Sequence, residues 1–293
     1  MYSFQYISPS TLEEALEFLR DHPDTCPLAG GTDMIVQYRA GKQKAPYVLN
    51  VLLPELTGVE EQEDCYRVGA ATPLTDFADY FSALPQPFRM LARAAESVGS
   101  CQTRNLGTVG GNICTGNASA DMATALLAAE AWGVAVGAGG ERCFPLDRFF
   151  VKNRVIALEK GELLKDILIP KKPFPRVGAH FCKVGKRRGH VIATFNMAAV
   201  IGRDETDRIV EARLAGGTLA PTPLRFYESE KLLLGHRAGE AAWEETLEEV
   251  CRTMQTEICP RDSRRGSREY RMHASAAVLV DAIRIACGRE EEK

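Results

Sequence analysis

The residues between Gln102 and Ala131, which read QTRNLGTVGGNICTGNASADMATALLAAEA, have the types and spacing of an anion-binding loop. Four glycines, at positions 107, 110, 111 and 116, lie within ten residues and are interleaved with Thr, Asn and Ser side chains. Because glycine adopts positive φ and lets a ligand approach the backbone closely, successive N–H groups can turn towards phosphate oxygens. We therefore interpret the stretch as a phosphate cradle that leads into a helix from Ala120 to Ala131, with Ser119 as its N-cap. A glycine-rich hairpin loop without a ligand is the alternative interpretation.

Asp121 stands in the first turn of that predicted helix. Its carboxylate suits the helix dipole but would repel a phosphate placed next to it. We therefore expect Asp121 to accept hydrogen bonds from ligand hydroxyl groups, such as those of a ribityl chain.

A second glycine turn lies at Pro27 to Met34, which reads PLAGGTDM. A short apolar run precedes Gly30 and Gly31, and Thr32 and Asp33 begin an amphipathic segment. Two units of strand, Gly-Gly turn and helix in one chain can hold the two phosphates of a dinucleotide. Neither unit has the spacing of a Rossmann G-x-G-x-x-G motif, and the Gly-Lys pairs of the chain lack the context of a P-loop.

Composition narrows the class of protein. The 293 residues carry 36 basic and 39 acidic side chains, a net charge of −3, so no large basic face for nucleic acid is expected. The basic cluster Lys183, Lys186, Arg187 and Arg188 is local, and a solvated loop is its ordinary meaning. No secretory signal pattern and no apolar run long enough to span a membrane is present, so we expect a cytoplasmic protein.

The nine cysteines contain no C-x-x-C pair. Iron–sulfur clusters are built from closely spaced cysteines, so no such cluster is expected in this chain and reduced thiols are expected instead. Any cluster that supplies electrons would therefore belong to another subunit. No set of metal ligands and no catalytic acid/base pair stands out among the five histidines.

Predicted helices and strands are both present around the two glycine turns. A capping box from Ser10 to Glu13 predicts an opening helix ahead of the first strand. A small α/β unit then ends near residue 55, and a hairpin across Gly139 and Gly140 is expected further on. Beyond the Pro- and Lys-rich segment Lys171 to Pro175, three strands and three helices predict an α+β domain. Those strands are Ala179–Lys183, Val191–Ile201 and Ile209–Ala215.

The combination of motifs resembles the FAD-binding, or medium, subunit of the molybdenum hydroxylases, of the xanthine dehydrogenase and carbon monoxide dehydrogenase type. The resemblance covers essentially the whole chain. It rests on Phe4, Tyr6 and Pro9, on AGGTD, VGAATPLTD, TRNLGTVGGN and GELLKDILIP, on Phe181 to Arg187, and on Ser267 to Arg271.

The resemblance implies an α+β fold. A two-subdomain FAD-binding domain of the vanillyl-alcohol-oxidase (PCMH) type would span residues 1–172, with subdomains of about 1–55 and 56–172. A C-terminal α+β domain with a three-stranded sheet and helices would span residues 173–293.

The resemblance also implies which residues contact FAD. The two glycine segments and four single positions carry these contacts: Pro27, Leu28, Ala29, Gly30, Gly31, Thr32, Asp33, Met34, Thr108, Val109, Gly110, Gly111, Asn112, Thr115, Asp121, Leu164 and Lys183. In this prediction the amides of both Gly-Gly pairs bind pyrophosphate, with the hydroxyls of Thr32 and Thr108 as donors. Lys183 would place positive charge at the pyrimidine edge of the flavin. The alternatives are a surface lysine at 183, core packing at Leu164 and a satisfied turn at Thr115.

Some oxidases with this flavin fold attach FAD through a histidine just after the Gly-Gly turn, where this chain has Thr32. We therefore expect FAD to be bound non-covalently. The loop from Arg187 to His190 would lie beside the isoalloxazine, either to gate or tune the acceptor site or as a charged loop facing solvent or a partner.

The function implied is electron transfer. Electrons from a molybdopterin-binding large subunit would pass through a [2Fe–2S] small subunit to FAD in this chain, and then to NAD⁺ or another acceptor. Substrate choice would lie in another chain, so this sequence does not name the substrate, and the resemblance implies xanthine or a related purine by default. Two other hypotheses stay open at this point, a stand-alone FAD-dependent oxidoreductase and a flavin-free structural or assembly subunit.

Overall fold

The computed structural model describes residues 3–187 and 189–288. The N-terminal unit is a three-stranded parallel sheet in the order β1-β3-β2, formed by Gln5–Ile7, Tyr47–Asn50 and Cys26–Leu28 respectively. Helix α1 (Leu12–Asp21) connects β1 to β2, and α2 (Met34–Arg39) lies between β2 and β3. The expected α/β unit is therefore present. Strand β1, which precedes the first helix, was not predicted, because three residues are too few to show a period.

The start of α1 lies one residue later than the predicted capping box. Thr11 is the N-cap, and its hydroxyl accepts a hydrogen bond from the N–H of Glu14. The Glu14 carboxylate in turn accepts from the N–H of Ser10 at 2.6 Å. Ser10 therefore contributes its backbone where the sequence pattern predicted its side chain.

The second unit is a five-stranded antiparallel sheet in the order β4-β5-β10-β6-β7. The predicted hairpin across Gly139 and Gly140 is present as β6 and β7, with Val134 opposite Cys143. A small hairpin of β8 and β9 precedes the long central strand β10. The strands are β4 (Val59–Glu61), β5 (Cys65–Gly69), β6 (Trp132–Gly137), β7 (Gly140–Pro145), β8 (Phe150–Lys152), β9 (Val155–Ile156) and β10 (Leu163–Pro170).

Five helices lie between β5 and β6: α3 (Leu74–Ser82), α4 (Arg89–Glu96), α5 (Cys101–Leu106), α6 (Val109–Cys114) and α7 (Asp121–Ala128). The glycine-rich stretch is therefore more helical than its composition predicts. Thr108 caps α6 by accepting from the N–H of Gly111, which places the Gly-Gly pair inside a helix. The prediction that Ser119 caps the next helix is wrong, since α7 has no side-chain cap and the Ser119 hydroxyl donates to Asn117.

The C-terminal part is an antiparallel sheet in the order β11-β12-β13-β14, with helices α8 (Tyr227–Leu233), α9 (Trp243–Glu257) and α10 (Arg268–Ala286). Its strands are β11 (Arg176–Val184), β12 (Phe195–Arg203), β13 (Ile209–Gly217) and β14 (Leu224–Arg225). The sheet has a fourth strand beyond the three predicted, because two-residue β14 carries no pattern. The predicted second strand began at Val191, whereas β12 begins at Phe195. The acidic tail Glu290 to Glu292 lies outside the described residues.

Helix α7 is the centre of the molecule. All eight of its residues are buried, and it packs against β12 and β13 as well as α4. One hydrophobic core accordingly includes residues of α7 and of the C-terminal sheet, such as Ala198, Val200 and Ala215. The other face of that sheet is covered by α10, with α8 and α9 beside it. The small side chains of α7 allow this close approach.

A charge network joins Glu130, two residues after the end of α7, to the C-terminal sheet. The carboxylate of Glu130 accepts hydrogen bonds from Arg225 at 2.7 Å and from Lys172, and it lies 3.4 Å from Arg213. Burial alone would raise the pKa of Glu130, but the bonds from Lys172 and Arg225 outweigh it and bring the pKa to about 2. Glu130 is therefore an ionised anchor between the two parts of the chain.

Candidate functional site

The two glycine turns predicted from the sequence are in direct contact. A Cβ added at Gly30 would lie 1.7 Å from the carbonyl oxygen of Leu106. One added at Gly107 would lie 3.4 Å from the hydroxyl of Thr32. The first turn thus packs with its bare backbone against the residues that enter α6, and only glycine fits at position 30.

The first turn offers free backbone donors. Gly31 has φ of +68°, the left-handed region that favours glycine, and Thr32 beside it is exposed. Within residues 3–187 and 189–288, the N–H groups of Gly30, Gly31, Thr32 and Asp33 donate to no protein acceptor. Consecutive free amides in a turn of this kind form a concavity that binds anions. The turn is therefore able to bind phosphate, and FAD binding at these residues stays a prediction.

The second turn differs from the expectation. The N–H of Gly110 donates to the carbonyl of Ala70 at 2.8 Å, and that of Gly111 donates to the Thr108 hydroxyl at 2.9 Å. Both amides predicted to bind pyrophosphate are therefore engaged inside the chain. The glycines serve close packing instead, since a Cβ at Gly110 would lie 2.5 Å from the Cβ of Ala70. Gly111 is exposed, and a Cβ there would lie 2.8 Å from the Thr108 hydroxyl that caps α6.

Asn112, on the same short helix, carries an orphaned polar atom. Its side-chain Oδ1 is buried and has no hydrogen-bond partner in the described part of the chain. Buried polar groups are nearly always paired, so an unpaired one calls for a partner from outside the chain. The free amides of the first turn fit phosphate oxygens, and this orphaned acceptor fits a hydroxyl donor. FAD has both kinds of group.

Asp121 and Lys183 form a buried ion pair. The Lys183 ammonium donates to Asp121 Oδ2 at 2.6 Å and to the carbonyl of Ser97 at 2.8 Å. Only 6% of the Asp121 side chain and 10% of the Lys183 side chain are exposed. Burial raises the pKa of Asp121, against the opposing effects of Lys183 and a hydrogen bond from Asn196. The surface-lysine alternative is therefore wrong, and Asp121, which was expected to meet ligand hydroxyls, binds a protein cation.

Two predicted single contacts have a structural explanation within the chain. The Thr115 hydroxyl donates to the carbonyl of Asn112 at 2.8 Å and accepts from the N–H of Asn117 at 3.3 Å, so it satisfies a turn. Leu164 is buried on β10 at a bulge before Asp166. Neither residue needs a ligand to account for its position.

Arg154 lies beside the first glycine turn and was not among the predicted site residues. Its guanidinium lies 3.8 Å from the Asp33 carboxylate of the first turn. Its backbone has φ of +61°, and its N–H donates to the carbonyl of Gly116 at 2.8 Å. A Cβ at Gly116 would lie 2.9 Å from Arg154 Cα, so this glycine admits the arginine. No motif marks Arg154, because only the folded chain brings it to the glycine turns.

The basic loop after β11 folds onto a second loop. Arg187 donates to the carbonyl of Gly189 at 3.0 Å, and Lys186 donates to the carbonyl of Arg264 at 2.7 Å. Arg188, part of the predicted acceptor loop, lies outside the described residues. Among those that are described, no group of three or more His, Cys, Asp and Glu side chains could hold a metal ion, and no helix is long and apolar enough to cross a bilayer.

Comparison with known proteins gives matches over the whole chain. Residues 2–172 match the model of the FAD binding domain in molybdopterin dehydrogenase, and residues 180–286 match that of the CO dehydrogenase flavoprotein C-terminal domain. The xanthine dehydrogenase FAD-binding subunit of Escherichia coli O157:H7 is 32% identical, over 99% of both chains. The nicotinate dehydrogenase FAD-subunit of Eubacterium barkeri is 30% identical, over 84% of this chain and 85% of that protein.

A solved structure has the same fold. It is the carbon monoxide dehydrogenase of Hydrogenophaga pseudoflava in a form that lacks the Mo-pyranopterin moiety of the molybdenum cofactor. The TM-score is 0.90 at 27% identity, and 98% of each chain is covered. The predicted fold class and the family resemblance are therefore confirmed.

Proposed function

The chain belongs to the family of FAD-binding subunits of the molybdenum hydroxylases, and we propose that it carries electrons from the [2Fe–2S] clusters of a partner subunit, through FAD, to NAD⁺ or another acceptor. It is an oxidoreductase subunit whose cofactor is FAD. In this proposal residues 1–172 bind FAD, in subdomains of about 1–55 and 56–172. Residues 173–293 form the C-terminal domain.

The contact between the two glycine turns carries this proposal. The free amides from Gly30 to Asp33 provide the phosphate donors, and Arg154 adds a positive charge beside them. Asn112 offers its unpaired oxygen as a further polar contact. The other predicted contacts in the two glycine segments are proposed as neighbours of the bound FAD.

FAD, when bound, accepts electrons singly and passes them on in pairs as hydride. The chain's own part is to bind and orient. An ammonium group has three donors, and those of Lys183 have two partners in the described chain, Asp121 and Ser97, so one donor is left for the cofactor. We propose that this donor faces the pyrimidine edge of the flavin. Thr32 has no ring nitrogen to alkylate, so the FAD is held non-covalently.

The partners proposed are a molybdopterin-binding large subunit and a [2Fe–2S] small subunit. The xanthine and nicotinate dehydrogenase relatives are named as FAD subunits, which supports an assembly of several chains. The cysteines of this chain are free thiols, which supports a cytoplasmic location.

Anaerobic reduction of the purified, FAD-loaded chain tests the proposed electron path. NADH should bleach the flavin absorbance by reverse hydride transfer, whereas xanthine should not do so without the molybdenum subunit. A flavin that dithionite bleaches and NADH does not would contradict NAD⁺ as the acceptor. Bleaching by xanthine in the absence of partners would favour a stand-alone oxidoreductase.

A further inference from the structure

Asn196 lies at the junction between the ion pair and helix α7. It is fully buried on β12, and its Nδ2 donates to Asp121 Oδ1 at 2.7 Å. Its Oδ1 accepts from the hydroxyl of Thr124, also at 2.7 Å. Each oxygen of the Asp121 carboxylate therefore has its own partner, Asn196 on one side and Lys183 on the other.

Two partners hold the Asn196 amide in one orientation, the Asp121 carboxylate and the Thr124 hydroxyl. A flipped amide would point its oxygen at the carboxylate, and two acceptors cannot bond. The Thr124 hydroxyl reinforces this orientation, because it donates to the amide oxygen. Thr124 thus orients Asn196, and Asn196 orients Asp121.

The neighbouring strand is shaped around this network. A Cβ at Gly217, on β13, would lie 2.1 Å from Asn196 Oδ1 and 2.7 Å from Thr124 Oγ1. Any larger residue there would displace both groups. Residues of α7 and of strands β11, β12 and β13 therefore surround the Asp121 carboxylate.

We propose that Asn196 is a positioning residue for FAD. Its amide keeps Asp121 ionised, and the ionised Asp121 holds the Lys183 ammonium at the flavin and offsets its positive charge. This inference rests on the proposed function, since it takes Lys183 to face the cofactor. Asn196 itself touches no cofactor in this account.

The charge on Asp121 affects how tightly the site binds reduced flavin relative to oxidised flavin. An ionised Asp121 offsets the positive charge of Lys183, which limits how strongly the site favours a reduced, more negative flavin. Without the amide donor, the buried carboxylate loses a hydrogen bond that favours its charged form. Lys183 is then less fully balanced, and reduced flavin is bound more tightly relative to oxidised flavin.

The test compares two nearly isosteric changes at Thr124. Thr124→Val removes the hydroxyl that orients the amide, whereas Thr124→Ser keeps it. For each FAD-loaded variant, the midpoint potential of the bound flavin, compared with that of free FAD, gives the ratio of affinities for reduced and oxidised flavin. We expect this ratio to rise about threefold to tenfold in Thr124→Val, and the potential to become more positive, because hydrogen bonds to charged groups are individually strong. Thr124→Ser should restore the wild-type value.

Two further variants separate positioning from packing. Asn196→Leu removes the amide itself and should shift the potential in the same direction and further than Thr124→Val. Met197→Ala opens a cavity on the same strand, but in the C-terminal core, so it should lower stability and leave the potential unchanged.

An unchanged potential in Thr124→Val, or a shift equal to that of Met197→Ala, would overturn the inference and leave the proposed function standing. A wild-type chain that takes up no FAD would overturn both.

Discussion

Replacing Gly30 with alanine should separate the two glycine turns. The new Cβ would lie 1.7 Å from the Leu106 carbonyl oxygen and 2.9 Å from the Gly107 nitrogen. Heavy atoms in contact lie about 3.5 Å apart or more, so the turns must part by more than about 1 Å. No side chain can rotate away, because both contacts are backbone. Overpacking of this kind costs about 1–3 kcal/mol, and the displaced amides of Gly31 and Thr32 lose their alignment with the phosphates.

The expected result is a loss of FAD affinity of about tenfold to a hundredfold, since each 1.4 kcal/mol is about a factor of ten. Fluorescence titration of the apo chain with FAD measures this, and thermal unfolding measures the accompanying loss of stability. Gly139→Ala is the matched control, because a Cβ in that hairpin turn meets nothing within 4 Å. It should leave FAD affinity unchanged and stability within about 0.5 kcal/mol of wild type. A Gly30→Ala variant with wild-type affinity and melting temperature would refute the packing of the two turns.

Further predictions concern charge and burial elsewhere in the chain. Glu130 has its pKa lowered to about 2 from 4.5, so its stabilisation is complete above pH 4.5 and is lost as the pH falls towards 2. Urea unfolding across this range should show Glu130→Gln costing about 2–3 kcal/mol near neutral pH and almost nothing at pH 2, and a constant difference would contradict the account. Arg154→Ala should weaken FAD binding by roughly threefold and reduce its salt dependence, as FAD titrations at two ionic strengths would reveal. Burial raises the pKa of Cys114 and Cys182 to about 12, so a thiol reagent followed by peptide mass spectrometry should label the exposed Cys101, Cys143 and Cys259 before them. Early labelling of Cys182 would be inconsistent with its burial.

The sequence predicted the family, the cofactor and the first glycine turn, because those depend on local residue types. Gly31 has positive φ in this turn, and a glycine at that position of the motif indicates it. The role of Gly110 was different, since its amide partner Ala70 lies in a distant segment. A pattern of glycines indicates that the backbone is approached closely, but it does not tell whether a ligand or another segment approaches.

The buried network could be predicted only in part. The resemblance identified Asp121 and Lys183 separately, yet their ion pair depends on α7 packing against the C-terminal sheet. Asn196 is a polar residue within a predicted apolar strand, and this was the only indication in the sequence of a buried polar contact there. Arg154 gave no signal at all, because its place beside Asp33 arises from the tertiary fold.

The most direct test of the central claim is the cofactor content of the purified chain. The visible spectrum is recorded, the chain is denatured, and the released chromophore is identified by chromatography. We expect a flavin spectrum and close to one free FAD per chain, with no flavin left on the polypeptide. A well-folded, colourless chain that takes up no added FAD would contradict the account, and flavin that stays attached after denaturation would contradict non-covalent binding.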